Sequence, residues 1–119
     1  MTKAESAFLK RATKLVDKWK REFGFGHFRS VVRLPSSADR QDCWGLTDFD
    51  FTEEWFHIEL NPLLDTNEEL EWVIIHELSH GLIEYANSGD IPLETVCSRI
   101  PKLILGRSGP NTLLNCGGV

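Results

Sequence analysis

The stretch WVIIHELSHGLIEY, residues 72–85, places two imidazoles and a carboxylate inside an aliphatic run. Such groups are costly among Ile, Leu and Val unless something occupies them. His76 and His80 are four apart, so on a helix they lie one turn above each other on one face. At 100° per residue Glu77 lies near that face and Val73 joins it, while Ile74, Ile75, Leu78, Leu82 and Tyr85 share the opposite arc. The spacing therefore predicts a helix with a core face and a polar face. Gly81 leaves room for close packing.

The flanks set the limits of this helix. DTNEELEW opens it, with Thr66 or Asn67 as cap and Glu68, Glu69 and Glu71 near its positive N-terminal end. NSGD ends it near Asn87. Asp90 is then the cap of a third helix with Pro92 in its first turn, and Pro101 either kinks that helix or starts a further turn. The tail GRSGPNTLLNCGGV, 106–119, reads as irregular.

Upstream, CWGLTDFDF and EWFHIELNP read as strands joined by a turn near Thr52 to Glu54. Trp55, His57 and Glu59 share one face of the second, and Phe56, Ile58 and Leu60 the other. HFRSVVRLP alternates as a further strand, and SSADRQD is loop-like. From about Ser6 to Phe23, the residues Phe8, Leu15, Val16, Trp19 and Phe23 form one apolar stripe, stopped by Gly24. The order α-β-β-β-α-α predicts an α+β domain over 1–105. A small antiparallel sheet of about three strands packs on the N-terminal helix, the histidine-bearing helix and a following glutamate-bearing helix. Trp19, Trp44, Trp55 and Trp72 are expected in the core.

Composition narrows the function classes. The chain has 119 residues, 41% hydrophobic and 26% charged, with net charge −5 and no basic cluster. Those values fit one globular domain and argue against nucleic-acid binding. No apolar run is long enough to span a bilayer, and the first residues lack the apolar segment of a secretory signal. Cys43, Cys97 and Cys116 form no CxxC pair, so neither a disulfide framework nor a thiolate zinc site is expected, and a cytoplasmic location is. Cys97 reads as a small buried residue and His57 as a half-exposed strand residue.

Residues 76–80 spell HExxH. Both imidazoles can reach one zinc ion at about 2.0–2.1 Å. Glu77 is placed to take a proton from a metal-activated water and pass it to a leaving amine. A catalytic zinc needs a third protein ligand and an open position. Glu84 continues the His76–His80 stripe but lies about 12 Å along the axis from His76, and one straight helix supplies three convergent ligands poorly. Glu94, on the next element, can approach from another direction and is preferred; Asp90 ranks third.

HELSH followed by ETVCSRI resembles the gluzincin-type metallopeptidases, in which a helix glutamate is the third zinc ligand. The chain's size is similar to that of their minimal single-domain members, the minigluzincins, and the resemblance covers roughly residues 51–105. It also looks somewhat like phage or mobile-element peptidases that cleave regulators. The residues around Cys43, DCWGL, differ from the cysteine motif of peptide deformylases. The resemblance implies a zincin-like fold and zinc-dependent hydrolysis of a peptide or protein substrate, by a monomer. His76, His80 and Glu94 would be metal ligands and Glu77 the base. It further implies that WFHIELNP matches the edge strand that holds extended substrate, and that Cys116 could cap the zinc in a latent form. The alternative is a metal-binding regulatory protein with the same fold and little turnover.

Overall fold

The chain enters its first helix through Thr2. In the computed structural model, which describes residues 2–35, 43–64, 66–85, 93–107 and 109–110, the Thr2 hydroxyl accepts the Glu5 backbone N–H at 3.0 Å. Its own N–H donates to Glu5 Oε1 at 2.8 Å. This capping box holds the Glu5 carboxyl below the usual carboxylate range, chiefly through the Thr2 backbone N–H. Helix α1 therefore spans Lys3–Glu22 and begins three residues before the apolar stripe alone places it. Phe8, Ala12 and Val16, four apart, are its buried line. Gly24 at φ 84° closes the helix: Gly24 N–H reaches Arg21 O at 3.1 Å and Phe25 N–H reaches Lys20 O at 2.7 Å. That is a Schellman ending, which needs the left-handed residue glycine supplies.

Strands β1 (Arg29–Arg33), β2 (Gly45–Asp50) and β3 (Trp55–Leu60) form one sheet of order β1-β3-β2. The α+β class and the small three-stranded sheet are as predicted, but the sheet is mixed. β2 and β3 pair antiparallel, because a four-residue turn can only reverse the chain. Asp50 Oδ1 accepts the Glu53 N–H at 2.9 Å in that turn, and Glu54 takes φ 57°. β1 pairs parallel to β3, Arg29 against Trp55 through Arg33 against Glu59. β3 is therefore the central strand among the described residues, and the strand predicted to be the substrate-binding edge is not an edge. β2 is.

Helix α2 (Asn67–Tyr85) is capped by Thr66, whose Oγ1 accepts the Glu69 N–H at 3.1 Å. Leu70, Trp72, Val73, Ile74, Ile75 and Leu78 are buried, so apolar contact surrounds most of the first three turns. A helix of that kind belongs in the middle of a domain. α1, β2 and helix α3 (Leu93–Leu105) all pack against it. Each fully buried Ile or Leu here contributes about 1.5–3 kcal/mol. Leu82 and Tyr85, predicted on the core arc, are exposed. Glu71 does more than face the helix dipole: its Oε2 accepts from Trp19 Nε1 at 2.7 Å and from Lys18 Nζ at 3.2 Å, tying α2 to α1.

α3 runs through Pro101 without ending and closes at Gly106, φ 71°. Arg107, predicted as part of an irregular tail, lies against α2: Trp72 Nε1 donates to Arg107 O at 3.2 Å, and Arg107 Nη2 to Glu68 O at 2.8 Å. Trp72 and the partly buried Trp19 and Trp44 join the core as expected; Trp55 is half-buried on the opposite sheet face from Phe56 and Ile58. Cys97 is a fully buried free thiol. Cys43 is disulfide-bonded. That corrects the expectation of no disulfide and removes the argument for a reducing compartment. No helix among the described residues is long and apolar enough to cross a membrane.

The register of β2 on α2 positions everything that follows. Two strand residues advance about 6.6 Å and four helical residues about 6.0 Å, so alternate β2 residues meet successive turns of α2. A Cβ added at Gly45 would lie 2.9 Å from Val73 Cγ1, Thr47 bonds Glu77, and Phe49 lies on Gly81. One turn further, the Phe51 and Tyr85 rings are 5.5 Å apart. A Cβ at Gly81 would overlap the Phe49 ring. Phe49 cannot yield, since it stacks on Phe51 and Phe56 at centroid distances of 5.4 and 4.8 Å. Gly81→Ala should therefore cost roughly 3 kcal/mol of overpacking, less about 1 kcal/mol of helix preference. Urea unfolding should show a net loss near 2 kcal/mol; no loss would mean the packing is looser than described.

Candidate metal centre

His76 and His80 project from consecutive turns of α2, and their Nε2 atoms are 3.3 Å apart. The rings meet edge to face at 71° with centroids 5.0 Å apart. The Trp72 indole stacks on the His76 ring at 5.6 Å and 16°, fixing its plane from the preceding turn. Glu77, 8% exposed, brings Oε2 to 3.9 Å from His76 Nε2. Ligand atoms of His76, Glu77 and His80 all lie within 4.8 Å of one another.

The donor set can be tested against zinc. Two nitrogens at about 2.05 Å from one ion and a tetrahedral angle apart are about 3.3 Å from each other. The two imidazole nitrogens already stand at that separation. Two imidazoles and carboxylate oxygen suit zinc and other borderline divalent ions. The residues fit the ion.

Glu77 is engaged by its neighbours in β2. Thr47 Oγ1 donates to Glu77 Oε1 at 2.8 Å. A Cβ at Gly45 would meet Glu77 Cγ at 3.0 Å and Cδ at 3.3 Å, so the glycine leaves the space that the glutamate stem fills. Neither residue was singled out from sequence. The available signal was the inward period-2 set of β2, in which Gly45 and Thr47 replace the apolar residues a core face calls for.

Of the proposed third ligands, Glu84 is exposed and is not among the converging groups. Glu94 begins α3, which packs on α2, but its side chain lies outside the described ones. Asp90 and Cys116 lie outside the described residues. His57 is half-buried, as predicted, and its strand partner is Asp48 rather than the inward Thr47, so it faces away from the histidine pair. Neither a protein-family model, nor a curated protein, nor a solved structure matches this chain.

Proposed function

We propose that this protein is a zinc-dependent peptidase in which His76, His80 and Glu94 hold the ion and Glu77 is the general base. The 3.3 Å separation of the two imidazole nitrogens supports this reading most, because it matches the spread of two nitrogens bound to one zinc ion. A zinc ion held there would supply Lewis acidity for a carbonyl and lower the pKa of water toward about 7. Glu77 Oε2 accepts a proton from the attacking water and returns it to the leaving amine nitrogen. Glu77 is 8% exposed, so little of it faces bulk water. A purely structural metal site would have no use for a carboxylate set beside the two ligands.

The purified chain with one equivalent of zinc should cleave members of a diverse peptide library. Cleavage should stop with chelator and return with zinc. Zinc bound at the histidines without any cleavage would overturn the hydrolase reading.

The third ligand has its own test. Glu94 sits on a second element packed against α2, and a tetrahedral site needs ligands from more than one helical stripe. Glu94→Ala should lower zinc affinity by about 10²–10³-fold, one ligand's share of a site worth about 10–16 kcal/mol. Glu84→Ala should change it less than tenfold. Chelator competition on both variants measures this, and the reverse ranking would place the third ligand at Glu84.

A further inference from the structure

We infer that Thr47 is the positioning residue of Glu77, and that β2 holds the base in one rotamer through a two-point clamp. This rests on the peptidase reading of the same site. A glutamate side chain has three rotatable bonds, and holding them in one rotamer costs side-chain entropy. A base that must meet a water at hydrogen-bond range works only in the right rotamer. α2 alone does not select it. The second point of support comes from β2, 30 residues earlier in the chain.

The clamp has two parts. Gly45 has no side chain where Glu77 Cγ and Cδ pass, which admits the stem in this direction and not across a Cβ. Thr47 Oγ1–H then donates to Oε1 at 2.8 Å, a charge-assisted bond that is stronger than a neutral one. With Oε1 engaged, Oε2 is the oxygen turned toward the histidines, 3.9 Å from His76 Nε2. The two carboxylate oxygens thus have separate tasks: one anchors, the other exchanges the proton. Thr47 is also β-branched, so its own χ1 is stiff in a strand. The hydroxyl faces α2, where it meets Glu77.

The test uses the full chain and two substitutions. Thr47→Val keeps shape and strand preference but removes the donor, and Thr47→Ser keeps the donor. In metal-free protein with labelled glutamate, NMR side-chain couplings should show one Glu77 rotamer in wild type and Thr47→Ser, and averaged rotamers in Thr47→Val. In zinc-loaded protein, Thr47→Val should lower kcat by about 10–100-fold, the range of lost supporting contacts, with KM within twofold and zinc affinity unchanged. Thr47→Ser should restore kcat to within about threefold. A single Glu77 rotamer in Thr47→Val, or a kcat equal to wild type, would overturn the clamp. A wild type that cleaves nothing would instead strike the peptidase reading, and the couplings would still decide the clamp.

Discussion

Glu77→Gln is expected to leave zinc bound and to lower peptide hydrolysis by about 10²–10⁴-fold, the usual worth of a positioned general base. The amide has the shape of the carboxylate and still accepts the Thr47 hydroxyl, so the packing against Gly45 and Val73 survives. What it lacks is an oxygen able to take a proton from water. Zinc affinity should stay within severalfold of wild type, because in the proposed site the histidines and Glu94 would carry the ion. Steady-state kinetics on a cleaved library peptide and chelator competition read the two effects separately. A variant that hydrolyses within fivefold of wild type would show that Glu77 is not the base.

His76→Ala and His80→Ala are expected to weaken zinc by about 10²–10³-fold each, again one ligand's share of the binding free energy. Neither substitution should unfold the chain, since both imidazoles are only partly buried and the core residues Ile74, Ile75 and Leu78 point elsewhere. Far-ultraviolet circular dichroism checks that. Each variant should also lose hydrolysis in proportion to zinc occupancy. Unchanged affinity in either would remove that histidine from the site.

The histidine pair was readable because its signal is local: four residues on one helix fix both the shared face and the spacing. α2 was readable for the same reason, from Thr66 to the apolar arc. The parallel pairing of β1 with β3 was not, because no residue pattern within a strand states which neighbour it takes or in which direction. The resemblance placed β3 at an edge, whereas β3 lies between β1 and β2. The first turn of α1 was written in Thr2 and Glu5, a capping box that an apolar stripe does not register. Exposure of Leu82 and Tyr85 was hidden because helical phase gives direction, and burial depends on what packs there. Thr47 and Gly45 reach the site only through the matched advance of strand and helix, a relation between segments 30 residues apart. The Cys43 disulfide was missed because spacing alone cannot pair cysteines distant in sequence.

If His76 and His80 hold a metal, the purified chain must retain it. Elemental analysis of the purified wild-type chain, after exchange into buffer with one added equivalent of zinc and extensive washing, tests it most directly. One zinc per chain is the expected result, falling to trace levels in His76→Ala and His80→Ala prepared identically. Wild-type protein that emerges without metal, or variants that retain it in full, would contradict the metal centre and the hydrolysis built on it.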